Sequence, residues 1–297
     1  MMEHENMASR SRLLVPLDGS ELAERAIDPA IRIAHAMHAT VLLAQINPLR
    51  SRSPVAAGSG SPPASHDQAT YETADDQTYL DRVASRLKGE NITIQTYTAN
   101  GDVVSLLQDL ELSAQVGLVV MTTHGRTGLA RTALGSVADA LVHHGSAPVL
   151  LIRASLPEER CSRLETALVP LDGSPASETV LHIVTDLAVA GLLRHVTLLR
   201  VVEPESGITD SDARRYLTYF ELLLSTRLPA SCPVATEVTH GRAAERILQR
   251  VHGGCDMVIM TTRSTPGLAR AVFGSVADRL LHDADTPLLL VHPQTET

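Results

Sequence analysis

Apolar positions in this chain come in two rhythms that alternate along its length. Short continuous runs of Val, Leu and Ile, such as "RLLVPLD" (residues 12–18) and "TVLLAQI" (40–46), read as strands buried on both faces. Between them, "SELAERAIDPAIRIAHAMHA" (20–39) spaces its apolar residues at the helical period. The alternation continues with a helix at "YLDRVASRLKG" (79–89), a strand at "NITIQTYTA" (91–99), a fourth helix, a strand at "VGLVVMTT" (116–123), a last helix and a strand at "APVLLIR" (147–153). Strand, helix and strand in this order predict parallel pairing through right-handed crossovers. The unit is an α/β fold, a doubly wound open sheet of five parallel strands.

The same rhythm then starts again. "TALVPLD" (166–172), "SPASETVLHIVTDLAVAG" (174–191), "VTLLRVV" (196–202), "ARRYLTYFELLLSTRL" (213–228), "PVATEVTH" (233–240), "DMVIMTT" (256–262) and "TPLLLVH" (286–292) repeat the series. "LVPLDGS" stands at 14–20 and at 168–174, "GLAR" begins at Gly128 and Gly267, and "GSVAD" begins at Gly135 and Gly274. Such self-similarity marks a tandem duplication. The early motif recurs after 154 positions, Pro16 to Pro170, and the late ones after 139, Met121 to Met260, so the first copy is 15 residues longer. "RSRSPVAAGSGSPPASHD", Arg50 to Asp67, has the Ser, Pro and Gly content of a mobile surface loop and supplies the excess. The polar "ASLPEERCSRLE", Ala154 to Glu165, reads as a linker, which divides the chain into residues 1–153, 154–165 and 166–297.

Local signals refine the helices. Ser174 before Pro175 fits an N-cap with proline at the first helical position. Ser136 with Asp139, and Ser275 with Asp278, suit a capping arrangement that satisfies the first amides of a helix. Pro29 should kink or delay the first helix, and Asp75 and Asp76 suit the start of another.

With 297 residues the chain can bury two cores of ordinary size. Aromatic residues make up 2%, so aliphatic side chains must fill both. The formal charge of −9 argues against a nucleic-acid or anionic-membrane partner, because the long-range field repels phosphate. Neither "MMEHENMASRSR" nor any later stretch reads as a signal peptide or membrane span, so a cytoplasmic location is expected. Cys161, Cys232 and Cys255 lack metal-site spacing and suit reduced thiols.

In open parallel sheets, ligands sit beyond the carboxyl ends of the strands. Asp18 follows the first strand there, and Thr122 to Gly125 follow the fourth. Gly125 would let the backbone approach a ligand, and Gly135 and Ser136 open a helix whose amides and dipole favour an anion such as phosphate. The same residues fit an ordinary turn and a capped helix equally well.

Both halves resemble the universal stress protein family, and the whole chain resembles its tandem members. The family's nucleotide-binding members carry Gly, two residues, Gly, nine residues, then Gly-Ser or Gly-Thr. Gly125, nine residues and Gly135-Ser136 keep that spacing, with Thr122 in place of the first glycine. The resemblance implies ATP or a related adenine nucleotide in the first half, with Mg²⁺ on the phosphates. It places Gly125, Arg126, Gly135, Ser136 and Val137 around the phosphates, and Pro16, Leu17, Asp18 and Ile46 around adenine and ribose. Met121, Thr122 and His124 complete the set, with His124 read as a phosphate contact, an acid or loop packing. In the second half Thr261 and Ser264 replace both glycines and Pro266 stiffens the loop, leaving Asp172, Val202, Gly274 and Ser275 as a degenerate site. The resemblance also implies that "APVLLIR" and "TPLLLVH" pair edge to edge. A homodimer and an unnamed protein partner are further expectations.

No P-loop, dinucleotide fingerprint, nucleophile elbow or zinc-protease motif occurs. His35 and His38 lack a third metal ligand, and His143 and His144 suit the carboxyl end of a helix. Asp18 could hold a metal for phosphoryl transfer, but nothing positions a nucleophile, so no catalytic residue is assigned. The reading is a stress-response sensor or regulatory module that binds nucleotide. The alternatives are a protein-interaction scaffold without nucleotide and a slow ATP hydrolase or phosphotransferase.

Overall fold

The computed structural model describes residues 12–48, 67–123, 134–262 and 274–292, and of residues 67–76 the backbone alone. The first half runs β1 (Arg12–Pro16), α1 (Glu21–Glu24), α2 (Ile27–Met37), β2 (Thr40–Asn47), α3 (Asp67–Arg86), β3 (Ile94–Asn100), α4 (Val103–Ser113), β4 (Val116–Thr122), α5 (Ser136–His144) and β5 (Val149–Ile152). A short helix α6 (Glu158–Cys161) intervenes. The second half repeats the order as β6 (Thr166–Pro170), α7 (Pro175–Glu178), α8 (Val180–Val189), β7 (His195–Val202), α9 (Asp210–Ser225), β8 (Val234–His240), α10 (Ala243–His252), β9 (Met257–Thr261), α11 (Ser275–Asp283) and β10 (Leu288–Val291). The loop expected over Arg50 to Asp67 lies outside the described residues except for Asp67, which opens α3. Asp75 and Asp76 therefore fall inside that helix and not at its start.

Each half contributes five parallel strands, and the two sets form one ten-stranded sheet in the order β3-β2-β1-β4-β5-β10-β9-β6-β7-β8. The join is the antiparallel pair β5 and β10, with Leu150 opposite Leu289 and Leu151 opposite Leu288. The last strands thus pair edge to edge within the chain. Because side chains alternate across a strand, Leu150, Ile152, Leu289 and Val291 enter the core under α2, α3, α8 and α9. Val149, Leu151, Leu288 and Leu290 enter the opposite core under α4, α5, α10 and α11. Both apolar layers run through the join without interruption.

Polar contacts reinforce it. Arg153 donates through Nη1 to the Ala284 carbonyl at 2.7 Å. Asp256 accepts the amides of Glu165 and Thr166 at 3.1 and 2.9 Å, and Arg32 of the first half pairs with Glu165 at 2.5 Å. Arg25 donates to the carbonyls of Ala154 and Leu156, fastening the segment that carries α6.

The break between α1 and α2 lies four residues before Pro29, where its missing N–H would have bonded. The second half breaks at the matching place, between α7 and α8, although Ile183 stands there and no proline follows. The fold itself therefore sets the bend, and Thr179 stabilises the second one by donating to the Ala176 carbonyl. Ser174 caps α7 by accepting from the Ser177 amide at 3.2 Å, with Pro175 at the first helical position.

Glu111 is a buried carboxylate on α4. Its Oε2 accepts from the amides of Ser146 and Ala147 and from the Ser146 hydroxyl, tying α4 to the turn before β5. Burial pushes its pKa above the ordinary value of 4.5, against the pull of those three hydrogen bonds. Above that ordinary value the folded chain keeps a proton that the unfolded chain has lost. Stability is therefore fullest below it and declines as pH rises through the raised folded-state value. Glu111→Gln keeps an acceptor without the charge, so urea midpoints measured from about pH 4 to about pH 8 should fall less with pH in the variant than in the parent. Parallel profiles would contradict the assignment. At the join, Leu289→Ala should cost about 2–5 kcal/mol in the same assay; a loss below about 1 kcal/mol would mean that the seam is poorly packed.

Candidate functional site

The crevice forms where β1 and β4 end side by side. Leu17 continues the sheet by donating its N–H to the Ala44 carbonyl at 2.7 Å, which fixes the direction in which the chain leaves β1. Gly19 then turns with φ of 80°, a left-handed geometry that favours glycine. The half-buried Asp18 is held across this turn, its Oδ1 accepting the Ser20 amide at 3.0 Å and the Ser20 hydroxyl at 2.6 Å. The Ser20 hydroxyl accepts in turn from the Ala23 amide, capping α1.

On the β4 side, Thr123 donates its amide to Ile152, and its carbonyl accepts the Gly135 amide at 2.8 Å. Thr123 and Gly135 thereby clamp the two ends of the connection between β4 and α5. Helix α5 starts at Ser136 with Gly135 as its N-cap, and no side chain caps it. The capping arrangement expected from Ser136 and Asp139, and from Ser275 and Asp278, is thus not formed. Gly135 and Gly274 occupy the cap positions and have no side chain, while the serines are already helical. Asp139 and Asp278 instead lie beside His143 and His282, one turn further on. The leading amides of both helices point to the crevice end of the sheet, where an anion is favoured.

Ile46 and Met121 are buried on the same side of the sheet as α5, and Val137 packs against that layer. They form an apolar wall beside the uncapped helix start. Thr122, one residue on from Met121, belongs to the opposite side of the strand and is buried. His124, Gly125 and Arg126 lie outside the described residues.

The second half repeats this frame. Asp172 sits on a turn with Gly173 at φ of 81°, accepts from the Ser174 amide at 2.9 Å, and donates its own N–H to the Ser177 hydroxyl at 3.3 Å. Here a cavity of about 350 Å³ opens at the carboxyl end of the sheet. Asp172 and Leu171 line it from β6, Met260 and Thr261 from β9, and Gly274 and Ser275 from the start of α11. The strand register corrects one assignment. Pro16 pairs with Ala44 and Pro170 with Leu199, so the connection to β7 is one residue longer than that to β2. Val201 is therefore the counterpart of Ile46 and lines the cavity; Val202 falls one position further and does not.

Two groups escape motif reading. Arg200, 7% exposed, lines the cavity in the position that the neutral Gln45, 2% exposed, occupies in the first half. Glu203 also lines the cavity and accepts the Ala243 amide at the start of α10. The signal for Arg200 is the pairing of "LLAQI" with "LLRVV" once the extra residue is allowed for. Beneath each crevice a tyrosine donates to a glutamate at 3.0 Å, Tyr79 to Glu24 and Tyr216 to Glu178. Burial first, then the neighbouring carboxylate, pushes both phenols well above their ordinary range. Both stay protonated as donors.

A family model described as the universal stress protein family matches residues 9–153 and 164–292. A universal stress protein of Mycobacterium tuberculosis is 29% identical over 197 residues, spanning 61% of this chain and 63% of that relative. One of Mycolicibacterium smegmatis is 29% identical over 212 residues, spanning 68% of this chain and 70% of the relative. The matched part thus spans less than two thirds of the Mycobacterium tuberculosis protein. Among solved structures, a universal stress protein from Archaeoglobus fulgidus shares the fold, with a TM-score of 0.73 at 16% identity over 96% of this chain and 99% of that one. Two tandem units, each with the Asp-Gly-Ser turn after its first strand and the glycine-capped helix after its fourth, are both covered by the family model, and the chain belongs to the universal stress protein family.

Proposed function

We propose that the first half binds an adenine nucleotide, ATP foremost, and that the protein serves a stress response as a nucleotide-occupied sensor or regulatory module without rapid turnover. The observation that carries this reading is the uncapped start of α5 beside the exit of β1, where Asp18 is held by its own turn. The amides of Ser136 and Val137 are suited to phosphate oxygens, and by the family resemblance Gly125 and Arg126, with His124, belong to the same phosphate site. Asp18 accepts hydrogen bonds from a ribose hydroxyl or base amine, with Pro16, Leu17 and Thr122 flanking it. Ile46 and Met121 supply the apolar surface that a purine needs.

The second copy supports the fit in shape, because the same frame leaves a cavity of about 350 Å³ there, within the roughly 300–1,000 Å³ usual for small-molecule sites. Among the described residues no group of three or more His, Cys, Asp or Glu is placed to hold a metal, so Mg²⁺ would arrive on the phosphates. No helix of the described residues is long and apolar enough to cross a membrane. In this reading residues 1–153 and 166–297 act as two domains, with 154–165 between them.

Titration calorimetry of the full chain with ATP and Mg²⁺ tests the proposal. Saturable binding is expected, and Asp18→Ala should weaken it roughly 10- to 150-fold by removing a charged acceptor. Gly135→Val should abolish it. Gly135 has φ of −62°, which any residue adopts, so the added side chain strains no dihedral there. Absence of saturable binding at millimolar ATP would leave a scaffold. Phosphate release at enzyme-like rates, abolished by Asp18→Ala, would make the protein a hydrolase.

A further inference from the structure

The two ends of the join between β5 and β10 are built from different chemistry. Continuing their register sets Arg153 opposite Thr286 at one end and His292 opposite Ala147 at the other. Strand alternation turns both side chains to the face that carries α5 and α11, because Leu151 and Leu290, two residues before them, lie in that core. Arg153 reaches the Ala284 carbonyl just past α11 at 2.7 Å, and Asp283 and Asp285 flank that acceptor in sequence. A guanidinium keeps its charge at every ordinary pH, so this end is fastened permanently.

At the other end "LVHHGSAP" stands where the second half has "LLHDADTP", so His144 and Ser146 replace the two aspartates. His292 is half-buried against the main chain of Leu141 and Ala147, and the charges of His143 and His144 act on its ring. The rings of His143 and His144 are 6.1 Å apart, and the His143 side chain is 7% exposed. Among the described residues the His292 Nε2 is buried with no hydrogen-bond partner. Two acids lie around the cluster. Asp139, one turn back on α5, is 3.4 Å from His143, and Glu111 of α4 holds the turn at Ser146 and Ala147 through Oε2. Burial raises the pKa of Glu111, so it takes up its own proton as acidity grows and loses value as a counter-ion.

We propose that the His292 end of the join is an acid-operated latch: neutral histidines let the end of β10 close on the turn between α5 and β5, and protonation gathers like charges there and opens that end while the Arg153 end stays fastened. Burial, against the pull of the Ala147 main chain, holds His292 below the ordinary value of 6.5, and burial likewise lowers His143 against the pull of Asp139. The open end therefore binds protons that the closed end refuses. The latch is fully shut above the ordinary value and loosens as pH falls from there toward the lowered values.

Amide exchange of the full chain, followed by NMR and divided by the intrinsic rate at each pH, reads the two ends separately. Between about pH 7.5 and about pH 5.5, protection among residues 290–292 should fall roughly 10- to 100-fold, at most about tenfold per pH unit for each proton gained. Protection among residues 151–153 should change less than about twofold. His292→Gln, which keeps a polar side chain and cannot take a proton at these pH values, should hold its protection across the range. Glu111 responds to pH in the opposite sense, but it is intact in both chains and cancels in the comparison. Ring titration of His292 in the parent chain gives a second readout and should show a midpoint below 6.5. A midpoint at or above 6.5, equal loss of protection at both ends, or an undiminished loss in His292→Gln would overturn the proposal.

Discussion

A parallel sheet covered by helices on both faces still has two edges, and an apolar strand left at an edge is an invitation to uncontrolled pairing. In each half the strand at risk is the last, since β5 and β10 are buried at every position. Their antiparallel union removes both hazards at once and lets the two cores continue from one half to the other. The edges left over are β3 and β8, which are half-buried with two exposed positions each and tolerate solvent. Pairing through the last strands also leaves the crevices between β1 and β4, and between β6 and β9, away from the join.

The strand and helix order was legible because parallel strands buried on two faces are continuous aliphatic runs, and "RLLVP" or "TALVP" leaves little choice. The duplication doubled every signal. Finer geometry was less accessible. Pro29 offered an obvious cause for the break before α2, yet Ile183 in the second half accompanies the same break, so a local residue was credited with an effect of the fold. The serines of "GSVAD" look like caps, but the preceding glycines hold the cap positions. Sequence distinguishes a cap from a first helical residue poorly, because one step along the chain separates them.

At the site, Asp18 and Asp172 were readable because an Asp-Gly-Ser turn after a strand has a single natural geometry, with glycine left-handed and the serine amide bonded to the carboxylate. Val201 was missed by one position. A single added residue before β7 shifts the strand, and in a strand a shift of one exchanges the two faces. Arg200 was hidden for the same reason. Within "LLRVV" it reads as a polar interruption of a strand, and only the register with β6 brings it beneath Leu171.

The short connection that holds α6 has one more effect. Because Arg25 and Arg32 fasten it to the first half while Asp256 receives its far end in the second, the partner edge is always within reach. Two separate chains would find each other only by diffusion, but here the encounter is unimolecular, with an effective concentration in the millimolar range or above. Dilution therefore cannot part the two halves of one chain from each other.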